Sequence, residues 1–145
     1  MYMSKEKRGQ RMSIYFEPIG IMHCDLKQLA DVPFFYEDSS AKGIIEIYEP
    51  YVEGLDGLEE IKNIVVLFHF HLSKGYELMQ RKKGHGELKG VFRLCSPRRP
   101  NPIGMSILKL TKIEPPLLYV EHVDMVDGTP ILDIKPYFLP GEHKR

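Results

Sequence analysis

Cysteine is almost absent from this sequence. Cys24 and Cys95 stand far apart and outside any C-x-x-C spacing, too few thiols for a disulfide framework and poorly placed for a metal or redox role. Net charge is absent too, because 20 Lys and Arg balance 20 Asp and Glu. No global field draws such a chain to nucleic acid, so any RNA contact must come from local patches. Long apolar runs are also missing. The longest falls well short of the ~20 residues of a spanning helix, and the N-terminus is too charged for a secretory signal, which points to a cytoplasmic protein. No G-x-G-x-x-G follows a strand-like run. Gly84-His85-Gly86 lacks both the spacing and the following helix, so a Rossmann-type nucleotide site is not supported. Internal repeats and low-complexity tracts are not seen, and helical periodicity is scarce.

What is present is a succession of short strand-like runs separated by Pro and Gly, within a length of 145 residues that suits one domain. Residues 1–12 form a basic leader with little apolar pattern, 13–140 carry the domain, and 141–145 are a short polar tail. Ser13 to His23 predicts a strand interrupted at Pro18. Asp25 to Ser40 is a long polar and aromatic loop of a length that is often functional. Gly43 to Glu49 alternates as a half-buried strand, and Leu55, Leu58 and Ile61 recur at a helical interval, enough for one or two turns. The most apolar run is Asn63 to His71. Strict alternation places Val65, Leu67, His69 and His71 on one face and Val66, Phe68 and Phe70 on the other. Tyr76 to Lys89 is a basic, glycine-containing loop with Arg81, Lys82, Lys83 and His85. Further strands are predicted over Gly90 to Leu94, Ile103 to Ile113, Leu117 to Val126 and Ile131 to Lys135. The fold class is therefore all-β, a small closed or nearly closed barrel or a sandwich with one or two short helical segments.

Two stretches stand out chemically. In GVFRLCSPRRPNPIGMS, from Gly90 to Ser106, Pro97, Pro100 and Pro102 fix their own φ and bias the preceding residues towards extension. The result is a stiff arm carrying Arg98, Arg99 and Asn101, side chains suited to holding something polar or anionic. In DMVDGTPILDIKPY, from Asp124 to Tyr137, Asp127-Gly128 is a strong turn signal, and Pro130 leads into an alternating strand. His69 and His71 share a strand face without a third ligand in motif spacing, which is a weak case for a metal.

The phrases GVF…SP-x-RPNPIG-x-S and D-x-V-DGTPILDIKPY, preceded by GIIEIYEPYVEGLDGLEEIKNIVVLFHFHLS, together resemble the TsaA-like (TrmO) family of SAM-dependent tRNA methyltransferases. The resemblance covers about Ile14 to Leu139 and extends to the order of the motifs. It implies a small β-barrel acting as a homodimer, with S-adenosylmethionine (SAM) as cofactor. The implied reaction methylates N6 of threonylcarbamoyladenosine beside the tRNA anticodon.

Carried over residue by residue, the family's cofactor contacts fall on Pro33, Phe34 and Phe35, on His71 and Leu72, on Cys95, on Met105, and on Asp127, Gly128, Thr129 and Pro130. The chain departs from the pattern in the first loop, where two phenylalanines replace Arg and Gln, and in the arm, where Cys95 replaces an arginine. Aromatic stacking by Phe34 or Phe35 and a guanidinium from Arg93, expected on the same strand face as Cys95, would compensate. Arg81, Arg98, Arg99 and Asn101 are the expected substrate contacts, forming a basic rim for an anticodon loop. Either His71 or Asp127 is in a position to take the acceptor's proton, and the sequence does not choose a general base. The departures leave open a non-catalytic ligand-binding protein on the same barrel, or a methyltransferase with another substrate.

Overall fold

The computed structural model describes residues 11–33, 39–82 and 86–142. Eight strands are found there: β1 (Gly20–Cys24), β2 (Lys42–Ile47), β3 (Asn63–His69), β4 (Met79–Arg81), β5 (Leu88–Gly90), β6 (Ile103–Glu114), β7 (Leu117–Glu121) and β8 (Pro130–Tyr137). Six of them close an antiparallel barrel in the order β1-β2-β7-β6-β3-β8, and β4 and β5 pair separately as a small hairpin. Closure leaves the barrel no free edge, so its strand backbone groups are satisfied within it.

The side-chain alternation that predicts these strands is what fills the barrel. Ile64, Val66 and Phe68 of β3 point inward, joined by Met22, Ile45, Leu108, Leu118, Val120 and Ile131. Each such burial stabilises by roughly 1.5–3 kcal/mol, an upper estimate because unfolded chains already bury part of this surface. Two glycines permit the tight closure. A Cβ on Gly20 would strike the backbone carbonyl of Glu46, and one on Gly104 would strike the rings of Phe68 and Phe70. Gly90, by contrast, has φ of −61° and open space around it.

An all-β barrel is thus what forms, but several boundaries differ from expectation. Of the predicted strand from Ser13 to His23, only Gly20–Cys24 pairs; 13–18 runs exposed along the barrel, and Pro18 has no N–H to offer a ladder. The helical interval at Leu55 to Ile61 appears as two 3₁₀ segments, Glu49–Leu55 and Leu58–Glu60, the first with Pro50 in its opening turn. β3 ends at His69, not His71: the Phe70 amide still donates to the carbonyl of its in-register partner Pro102 at 2.8 Å, but Pro102 has no N–H to return, and His71 lies in the turn that follows. β7 stops at Glu121, five residues early, because His122 adopts φ of 70°, a left-handed conformation that ends an extended run. The Tyr76 to Lys89 loop contains the β4–β5 hairpin. The predicted strand from Gly90 to Leu94 is a 3₁₀ turn at Val91–Arg93, so Arg93 shares no strand face with Cys95. Most of the basic leader (1–10), residues 34–38, 83–85 and the last three residues lie outside the described residues. Among the described residues no helix is long and apolar enough to cross a membrane.

Candidate functional site

The Asp-Gly-Thr-Pro turn is stapled to β1 from both sides. The Asp127 amide donates to the carbonyl of Leu26 at 2.7 Å and the Gly128 amide to that of Met22 at 2.8 Å, while the Met22 amide donates back to Thr129 at 3.0 Å. Gly128 sits at φ of 84°, which explains the Asp-Gly signal. The Thr129 hydroxyl is buried and donates to the carbonyl of Val126 at 2.7 Å. Both carboxylate oxygens of Asp127 are engaged: Oδ1 accepts the Cys24 amide at 2.9 Å, and Oδ2 lies 3.0 Å from Nζ of Lys27. The Cys24 amide, followed by Lys27, holds the Asp127 carboxyl below the usual range for aspartate. Lys27 is correspondingly raised, chiefly by its hydrogen bond to Asp127. Burial pushes the Cys24 thiol up, and its Sγ donates to the carbonyl of Met125 at 3.4 Å.

A cleft of about 660 Å³ opens between the N-terminal strap and the barrel. Met12, Ile14, Phe16 and Pro18 form the strap wall. His69, Ile103 and Leu132, one each from β3, β6 and β8, form the floor, and Asn101, Pro102 and Pro130 close one end. The floor follows from register, since His69 pairs with Ile103 across the β3–β6 ladder. Nδ1 of His69 lies 3.3 Å from the carbonyl of Pro102, which can only accept, so Nδ1 is the donor there, and in a neutral imidazole Nε2 is then the acceptor. The cleft thus brings together Asn101, expected to contact substrate, and Pro130, expected to contact cofactor. Sequence reasoning passed over His69 in favour of its neighbour His71, and the only signal was the two-imidazole face.

The arm and the hairpin form one unit. Gln80 donates to the carbonyls of Arg98 and Glu77, each at 2.6 Å, Arg98 pairs with Glu77 at 2.8 Å, and the Ser73 hydroxyl donates to Pro97 at 2.9 Å. Arg99 folds the arm onto itself, with Nη1 donating to Leu94 at 2.8 Å and Ser96 at 3.0 Å, and Arg81 donates to the carbonyl of Gly86. The three arginines expected to hold substrate therefore brace this unit as well.

The remaining expected contacts do not line the cleft. His71 is half-buried, Leu72 and Met105 are exposed at 48% and 59%, and Cys95 is an exposed free thiol. Pro33 is half-buried at the start of the loop whose Phe34 and Phe35 lie outside the described residues. The far end of that loop is anchored at Ser39, whose buried hydroxyl donates to Val123 at 2.5 Å and whose carbonyl lies 2.8 Å from Nδ1 of His122. Behind the turn, the fully buried Ser106 donates to Asp124 at 2.5 Å. Among the described residues no group of three His, Cys, Asp or Glu is placed to hold a metal.

A closed six-stranded antiparallel barrel with a cleft floored by β3, β6 and β8 and bordered by Pro130 of the Asp-Gly-Thr-Pro turn defines a small β-barrel class, with no Rossmann unit among the described residues. Residues 21–140 match the family described as the tRNA-methyltransferase O N-terminal domain, and the chain belongs to that family. A probable S-adenosyl-L-methionine-binding protein of Pyrococcus abyssi is 41% identical over 129 residues, covering 87% of this chain and 69% of that protein. The tRNA (adenine(37)-N6)-methyltransferase of Mus musculus is 46% identical over 86 residues, 57% of this chain and 20% of the mouse protein. A crystal structure of TrmO from Pseudomonas aeruginosa superposes with a TM-score of 0.73 at 31% identity, over 91% of this chain. The chain spans 61% of that TrmO chain.

Proposed function

We propose that this protein binds S-adenosylmethionine and methylates a tRNA adenine, at N6 of threonylcarbamoyladenosine beside the anticodon. Membership of the family over residues 21–140 carries this reading, and the Pyrococcus and mouse relatives support its two halves, cofactor and acceptor. The residues present fit the cofactor. Leu72 and Met105 offer exposed apolar contact on the outside of the barrel, His71 adds a polar group, and Gly128 leaves open space where a side chain would otherwise stand. Pro33, Leu72, Met105 and the turn from Asp127 to Pro130 would hold it. When bound, the cofactor supplies an electrophilic methyl on a sulfonium, open to in-line displacement.

The chain's own residues have three tasks. The apolar cleft walls exclude water from the acceptor base. Asn101 offers hydrogen bonds to the polar edge of that base. The unprotonated Nε2 of His69 takes the proton released by the acceptor amine. Asp127 is a poor base, because its carboxylate is held ionised by the Cys24 amide and Lys27. It serves instead to position the turn. The assembly is a homodimer, a reading supported by the apolar strap, where Tyr15 is 89% exposed, and tested by sedimentation velocity at two concentrations.

Calorimetric titration with SAM, followed by incubation with tRNA and labelled SAM, tests the function. Micromolar binding with label appearing in tRNA is expected. Binding without transfer, in tRNA or any other RNA, would instead assign the barrel to non-catalytic SAM binding. Cys95, which stands where the family resemblance expects an arginine, is what favours that second reading.

A further inference from the structure

We infer that the β4–β5 hairpin and the proline arm form the docking surface for the unpaired strand of the RNA, with Phe92 as its stacking residue. The inference rests on the tRNA reading above. Zero net charge conceals a strong segregation. Between His71 and Pro100 there are eight Lys or Arg and two Glu, a formal +6, so the rest of the chain carries −6. Hydrogen bonds join Ser73, Glu77 and Gln80 on the hairpin side to Pro97 and Arg98 of the arm. One of its two carboxylates, Glu77, is already paired with Arg98. Arg81 and Arg99 donate to neutral carbonyls, which position their guanidinium groups without cancelling their charge.

Aromatic rings are set among these cations. Phe92 is 80% exposed and Tyr76 55%. Phe92 is not a loose side chain on a loop. It lies in the 3₁₀ turn Val91–Arg93, whose Val91 is buried, with the Val91 amide donating to Leu78 at 2.8 Å and the Leu94 amide to Val91 at 3.0 Å. A rigidly presented ring flanked by Arg93 and Lys89 is the arrangement that binds single-stranded nucleic acid, where bases stack and cations track phosphates. A second copy of this chain fits the surface poorly. A twofold contact through it would bring +6 against +6, and like charges across an interface oppose association.

The full-length protein is tested against a tRNA anticodon stem-loop by fluorescence anisotropy at several salt concentrations, with SAM affinity measured in parallel. Phe92→Ala is expected to weaken RNA binding about 5- to 150-fold, the range for loss of one stacked base, while Phe92→Trp retains it. Lys89→Gln with Arg93→Gln should lower the slope of log affinity against log salt by about 1.4. SAM affinity should stay unchanged in all three, which shows that they fold. RNA affinity indifferent to Phe92→Ala, or sedimentation showing that Phe92→Ala turns a dimer into a monomer, would overturn the assignment. Wild-type protein that binds SAM but no RNA would overturn the tRNA reading itself, and this surface with it.

Discussion

At Asp127 the carboxylate ties a turn to β1 through one partly buried backbone bond and one exposed ion pair. The two bonds differ in worth. The amide of Cys24 would lose its acceptor in Asp127→Ala, at a cost of about 1–2 kcal/mol, whereas exposed ion pairs contribute little, so Lys27→Met should leave stability nearly unchanged. Urea melts compare them. Because folding depresses the Asp127 pKa, its contribution is present above the ordinary aspartate value of about 4 and is lost as pH falls through the lower folded value. The gap between wild type and Asp127→Ala should therefore be full at pH 7 and close in acid. His69 is the second decisive residue. His69→Gln should lower kcat about 100-fold with SAM affinity unchanged, as removal of a proton acceptor requires, and single-turnover methylation assays beside SAM titration check it.

Among the elements, β6 has two jobs. Its outer face carries Ile103, which lines the cleft, and the exposed Met105, and its inner face carries Ser106, which anchors the segment that follows β7 through Asp124. Ser106→Ala removes a fully buried donor and should cost about 1–3 kcal/mol in denaturant melts. SAM binding should weaken with it, because the displaced segment runs directly into the Asp-Gly-Thr-Pro turn proposed to hold the cofactor. The same element-level view explains where β3 stops. Alternation alone continues through His71, yet Phe70 faces Pro102, which accepts its amide but has no N–H to donate back, so the ladder ends and the chain turns.

For the whole molecule, ligand linkage gives the simplest check on the cofactor. A ligand at 100 times its Kd that binds only the folded state adds about 2.7 kcal/mol, which for a chain of this size raises Tm by about 5–10 °C. Differential scanning fluorimetry with SAM should show such a rise, and a flat response would contradict cofactor binding.

Period-two alternation and the punctuation by Pro and Gly are local properties, so the all-β class and the Asp127-Gly128 turn could be read from the sequence alone. The order of the motifs likewise carried the family. What a residue is free to do once the barrel closes depends on contacts between distant parts of the chain. The Asp127 carboxylate is engaged by Cys24, more than a hundred residues earlier, so it is a clasp and not a base. His69 meets Pro102 only because β3 pairs with β6, and the strap meets the ends of β3, β6 and β8 only because six strands close. The basic loop became a hairpin braced by the arm for the same reason. Local pattern determined which segments are strands. Tertiary contact decided which polar groups are already satisfied and which remain available for chemistry, because hydrogen bonds and ion pairs join residues by distance in space and not by distance along the chain.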